Sequence, residues 1–153
     1  SSQILVKIIK FKNYPPKFND IIFMFQKELG EKIVCKFPSS NYGRLSILTH
    51  YKLIVANKFL ISPNCFFPKP KINSMIIHFQ PKSNKKYIIK NIDNLEKITN
   101  VLFSNKRKMI NKNIKKILYD HELKNIPNLK DELRPAELKP ELYYKITELI
   151  ESR

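Results

Sequence analysis

The chain has 153 residues, 42% hydrophobic and 27% charged, which suffices for one domain of ordinary size or for pieces of two. Its 29 Lys and Arg against 13 Asp and Glu leave a net charge of +16, which points to a polyanion partner, nucleic acid or an acidic membrane surface, although abundant Lys, Asn and Ile also fit a biased genome composition. Two glycines, Gly30 and Gly43, exclude a Gly-rich phosphate or dinucleotide loop, and no apolar run reaches the ~18 residues of a membrane span.

The charge is uneven. Residues 1–119 hold 23 basic and 5 acidic side chains (+18), and residues 120–153 hold 6 and 8 (−2). A partner surface therefore belongs to the first three quarters. No signal peptide is expected ahead of the fold, and Cys35 and Cys65 stand apart from any CxxC pair or His cluster. The expectation is a cytoplasmic protein with buried free thiols and no metal site.

Residues 1–11, "SSQILVKIIKF", open with capping serines and carry apolar residues at 4, 5, 8, 9 and 11, a helix face. "IIFMF" (21–25) has the length and continuity of a buried strand. "QKELGEKIV" and "RLSILTHYKL" (44–53) predict helices, and "IVANKFLIS" (54–62) and "SMIIHF" (74–79) predict strands. Two strands so closely joined must be antiparallel neighbours. From about 91 the period is helical, with one stripe at Leu95, Ile98 and Leu102 and another at Met109, Ile110, Ile114, Ile117 and Leu118. Prolines 127, 135 and 140 lead to a last helix, "PELYYKITELIE", with Pro140 at its start. The fold class is α/β in residues 1–85 followed by a small all-α domain in 86–153. A doubly wound sheet cannot begin with a bare helix, so the chain reads as the back half of something.

Taken in order, "FMFQKELGEKIV", "YGRLSI", "FFPKPKINSMIIHF", "LFSNKRKMINKNI" and "RPAEL" resemble the KsgA-type dimethyladenosine transferases over about residues 1–150. The resemblance implies the C-terminal half of a class I (Rossmann-like) methyltransferase sheet, with the 21–25 strand between a missing strand, whose absence exposes its edge, and the antiparallel 74–79 strand, then a helical rRNA-binding domain. It implies S-adenosyl-L-methionine-dependent dimethylation of adenine N6 in small-subunit (16S) rRNA during ribosome biogenesis. Erm-type large-subunit rRNA methyltransferases share the front motifs, and the transcription factor B group shares the fold. The family's glycine-rich cofactor loop and "NLPY"-type motif have no counterpart here. The implied cofactor site therefore lies in an N-terminal part, and the 153 residues alone are expected to be inactive. The implied partner is the small ribosomal subunit, with no membrane and a monomeric intact enzyme. The rival from another class is a non-catalytic nucleic-acid-binding module.

The stretch "CFFPKPKINS" (65–74) acquires a role from that chemistry. An exocyclic amine on adenine must leave its stack to be methylated, and a flipped base needs a flat apolar surface. Pro68 and Pro70 stiffen the loop, while Lys69 and Lys71 put charge where flanking phosphates pass. By the family's "F-x-P-x-P-K" pattern, Phe66 is the stacking residue and Phe67 is core or spacer; packing of both rings under the loop is the competing reading. In "NKRKMINKNIKK", Lys106, Arg107, Lys108, Lys112, Lys115 and Lys116 face no carboxylate. A helix there would set Lys108, Lys112, Lys115 and Lys116 on one outward face for rRNA phosphates; a solvated face is the alternative. Gln26, Lys27 and Arg44 either face the RNA or substrate pocket or merely cap and solvate the helices after them. His50, His78 and His121 read as structural.

Overall fold

The computed structural model describes residues 2–13, 16–83 and 86–153. Helix α1 (Ser2–Ile9) buries Leu5 and Ile9, the stripe its sequence spells; Ser1, one of the two expected capping serines, lies outside the described residues. Strand β1 (Ile21–Gln26) runs directly into helix α2 (Lys27–Val34). Helix α3 (Arg44–Lys52) starts where Ser46 Oγ donates to Gly43 O (2.8 Å) and accepts from Gly43 N (3.2 Å), and it runs into strand β2 (Leu53–Ile61). Strand β3 (Ser74–Pro81) follows.

The sheet order is β1-β3-β2, and both pairings are antiparallel. The antiparallel pairing of β2 and β3 is as expected from their connection, residues 62–73, which carries no helix long enough to cross over. Phe25, Met75, Ile77 and Phe79 are buried on the face that packs with α2 and α3. The other face is open. Met24, Ile76 and Phe59 form a row across it, and Met24 and Phe59 stay 49% and 55% exposed. β1 pairs antiparallel with β3 and leaves its other edge open, as expected of a strand whose second neighbour is missing, and only the burial signalled by its apolar run is corrected, Ile22 being 67% exposed. An apolar run signals burial on both faces, but only β3 and one layer of helices meet this strand among the described residues.

Helix α4 (Ile92–Phe103) is capped by Asn91, whose side chain accepts from Asp93 N, and it buries Leu95, Ile98 and Leu102 as expected. Short helices α5 (Asn111–Ile114) and α6 (Asp120–Asn125) follow, and then α7 (Pro140–Glu151) with Pro140 in its first turn. One hydrophobic core runs through both segments. Tyr42 Oη donates to Leu138 O (2.9 Å), and Tyr144 Oη of α7 donates to Ile47 O (2.8 Å) of α3. Tyr51 Oη accepts from Ile89 N (2.8 Å). Tyrosine phenols thus fasten the helical segment to the α/β segment. Burial pushes all three of these tyrosines above the ordinary phenol value, so they remain neutral donors.

Candidate nucleic-acid interface

The aromatic loop is built from its first residue. Ser62 Oγ accepts from Asn64 N (3.3 Å) and starts a single 3-10 turn, Pro63–Cys65. Phe66 N closes that turn on Pro63 O (3.2 Å), which fixes the direction in which residue 66 leaves. Phe66 is half-buried, whereas Phe67 is 102% exposed. Of the two expectations for Phe67, core and spacer, core is corrected, since the ring is fully exposed, and spacer stands. Phe66 is the anchored ring and Phe67 the tip.

Lys69 and Lys71 are exposed, and the loop ends where Asn73 O accepts from Lys27 N (3.0 Å). That bond ties the loop to the junction of β1 and α2. A cleft of about 480 Å³ opens there, lined by Gln26, Lys27, Glu28, Lys71 and Asn73 among others. The structure therefore brings Gln26, Lys27 and Lys71 together at the carboxyl end of β1. Glu28 and Glu31 share that cleft and pair along α2 with Lys32 (3.0 Å) and Lys27 (3.8 Å). Exposed pairs of this kind contribute little stability, about 0.3–0.5 kcal/mol each.

Arg44 is elsewhere. It opens α3, beside Gly43, whose missing Cβ would stand 3.9 Å from Phe103 Cε1 of α4. Its Nε is buried without a hydrogen-bond partner among the described residues. Lys106 reaches the same region, donating from Nζ to Ser40 O (3.4 Å).

The basic run departs from expectation in shape. Residues 104–110 form turns, and only the single turn of α5 is helical. Ile110 N donates to Leu133 O (2.8 Å) instead of to the preceding turn, and Asn113 Nδ2 donates to Ser104 Oγ (3.1 Å). The physical cause is legible afterwards. Three asparagines and a serine offer the backbone rival bonds, and cations without interleaved carboxylates repel one another along a helix face. There is consequently no single helical face over 105–116. Met109 leaves the expected stripe and is 52% exposed, while Ile110, Ile114 and Leu118 are buried. Lys106, Arg107, Lys108, Lys112, Lys115 and Lys116 are all exposed, with Lys116 Nζ donating to Asn113 Oδ1 (3.2 Å).

The histidines hold structure. His50 Nε2 donates to Val34 O (3.3 Å) and Cys35 O (3.1 Å), and burial keeps its pKa below the ordinary value. His78 Nε2 meets Asp20 Oδ1 (2.7 Å), and His121 stacks on Tyr119. Cys65 is exposed and Cys35 half-buried, which corrects the expectation of two buried thiols. Sequence reasoning missed a second cleft, around Cys35, His50 and Lys139. Its residues are scattered along the chain, so no local pattern announces it.

Comparison with known proteins places this geometry. The family model "Ribosomal RNA adenine dimethylase" matches residues 1–152. A protein of Pelagibacter ubique named ribosomal RNA small subunit methyltransferase A is 41% identical over 131 residues, 84% of this chain and 49% of that protein. One of the same name from Malacoplasma penetrans is 33% identical over 149 residues, 95% of this chain and 53% of that protein. The crystal structure of a dimethyladenosine transferase from Plasmodium falciparum superposes with a TM-score of 0.71 at 24% identity, covering 95% of this chain and 61% of that one. The chain spans about half the length of the curated relatives it matches. An α/β segment with an antiparallel sheet, continued by packed helices and matched end to end by that model, belongs to the ribosomal RNA adenine dimethylase family.

Proposed function

We propose that this chain is the RNA-presenting part of an rRNA adenine N6,N6-dimethyltransferase that acts on small-subunit rRNA with S-adenosyl-L-methionine as methyl donor. The observation that carries the reading is the loop of residues 62–73. It holds an aromatic ring on a capped turn, followed by two exposed lysines, and is tied by Asn73 to the carboxyl end of β1. The relatives' shared name supports the choice of small-subunit rRNA.

The described residues do not fit the methyl donor. All three strands pair antiparallel, so no parallel strand-turn-helix unit is present among them, and neither glycine has positive φ. The work of these residues is on the RNA side. Phe66 receives the face of the displaced adenine, and its half-buried position keeps the ring from following the base. Lys69 and Lys71 hold the flanking phosphates, and the run from Lys106 to Lys116 holds phosphates farther along the RNA. Gln26 and Lys27, at the same end as Lys71, face the displaced nucleotide.

The test uses single-stranded RNA carrying 2-aminopurine in place of one adenine. Binding to the 153-residue chain is expected to change 2-aminopurine fluorescence as the base leaves its neighbours and meets Phe66. Phe66→Ala abolishes that change, while affinity, carried mostly by phosphates, falls by no more than the loss of one stack, about 5–150-fold. Phe66→Tyr retains the change. Loss of the signal in Phe67→Ala but not in Phe66→Ala would transfer the role to the exposed ring.

A further inference from the structure

The cleft around Cys35 measures about 430 Å³ and lies on the seam between the two segments. Its lining comes from the α2–α3 connection, from α3, from Lys82 after β3 and from the first turn of α7. Phe37 supplies the accessible aromatic surface, with Tyr42 and Tyr144 buried behind it at 1% and 6% exposure. Both phenols are spent on backbone carbonyls. His50 shares the lining with its Nε2–H committed to two carbonyls, which leaves Nδ1 as an acceptor in the neutral ring. Three lysines stand at the cleft, Lys36, Lys82 and Lys139, against one carboxylate, Glu141. Lys82 Nζ donates to His50 O (3.3 Å), while Lys36 and Lys139 are exposed.

A flat apolar lining beneath a cationic rim fits a ligand that is planar at one end and anionic at the other. We propose that this cleft receives one nucleotide of single-stranded RNA, its base on Phe37 and its phosphate among Lys36, Lys82 and Lys139. The volume suits one nucleotide and is too small for a base pair in a duplex. Continuity argues for RNA over a free nucleotide. The connection that lines the cleft is the one Lys106 reaches at Ser40 O, so the basic run of 106–116 leads to its edge. Burial raises the pKa of the Cys35 thiol in the cleft, with Ser46 and the charge of Lys106 opposing that rise. The inference rests on the reading of the chain as RNA-binding, and it adds a second nucleotide-holding point remote in sequence from Phe66.

The two cysteines make the test. Cys35 lines the cleft and Cys65 directly precedes Phe66, so each reports on one site. Single-thiol proteins, Cys65→Ser and Cys35→Ser, are alkylated with N-ethylmaleimide with and without a single-stranded decaribonucleotide. Binding is followed separately by fluorescence anisotropy. At RNA tenfold above Kd, Cys35 alkylation is expected to slow about tenfold, the ratio 1 + [L]/Kd. A duplex of the same sequence leaves Cys35 unprotected. Lys36→Gln with Lys139→Gln removes the protection and lowers the salt dependence of log K by about 0.7 per lysine engaged. RNA that binds and protects Cys65 but not Cys35 would overturn the cleft and leave the RNA-binding reading intact. RNA that does not bind at all would overturn both. Protection of Cys35 by adenosine monophosphate as strong as by the decamer would assign the cleft to a free nucleotide instead.

Discussion

Gly30 shows how little room the interior of the α/β segment leaves at a single residue. A Cβ built there would stand 2.8 Å from Met75 Sδ and 3.0 Å from Met75 Cβ, so α2 lies directly on β3. Alanine at position 30 gains up to about 1 kcal/mol of helix propensity. It must also push back Met75, whose Cβ is fixed to the strand, and overpacking of this kind costs about 1–3 kcal/mol. Gly30→Ala is therefore expected to lower stability by about 1 kcal/mol in urea unfolding, and Gly30→Ala with Met75→Ala should recover part of the loss. Stability equal to or above that of the parent would mean that α2 can lift from the sheet. The glycine is visible in the sequence, but its reason is not, because Met75 is 45 residues away and only the fold brings it near. Phe66 and Phe67 teach the same lesson. The motif marks the pair, and only the capped turn decides which ring is anchored.

At the scale of elements, strands β1 and β3 and helices α3, α4 and α7 were legible, because their apolar periods are long and their caps local. One expectation failed and one was met in part. The 105–116 run has helical apolar spacing, yet its asparagines and crowded cations leave Ile110 N to Leu133 O and the Asn113 side chain to Ser104 Oγ. The 21–25 run has the composition of a central strand and stands at the edge expected where its neighbour is missing, so its outer face is not buried. Each outcome bears on a measurement. Exposed cations on turns contact phosphates as well as cations on a helix. Changing Arg107, Lys108, Lys112 and Lys115 together to Gln is expected to flatten the salt dependence of RNA binding by about three log units per log unit of salt. Stability should shift by no more than about 0.5 kcal/mol per substitution. An unchanged slope would make the run a solvated surface. For β1, the open edge and the exposed Ile22 and Met24 are expected to drive association of the isolated chain at low salt. Light scattering should show that Ile22→Lys with Met24→Lys suppresses it; a parent chain that stays monodisperse would count against the edge.

At the scale of the molecule, the seam between segments was the least legible part, since it is made of pairs far apart in sequence. Glu151 of α7 accepts from Lys90 N (2.6 Å), Asn91 N (2.9 Å) and Asn94 Nδ2 (2.8 Å). Burial pushes its carboxyl up, but those hydrogen bonds outweigh it, and the pKa ends below the ordinary 4.5. Glu122, held by Arg153 and by Tyr119 N, is likewise depressed below 4.5. A carboxyl depressed in the fold stabilises it above the unfolded value, and that contribution fades as pH falls through the folded one. Urea midpoints taken at successive pH values below 4.5 should therefore drop, and Glu122→Gln with Glu151→Gln should flatten the drop. A double variant as acid-sensitive as the parent would place the proton uptake elsewhere. The phenol of Tyr144 bound to Ile47 O, and the carbonyl of Leu138 that Tyr42 reaches just before α7, also bear on how the protein is made. A chain is synthesised from its N-terminus, and domains form as they emerge. Here the sheet and α3 are translated long before α7, and they wait with a bare apolar flank until α7 arrives. A premature stop codon just before Pro140, which removes α7, should be as damaging as missense changes in the core. In cells, such a truncation should leave the transcript in place and yield almost no soluble polypeptide.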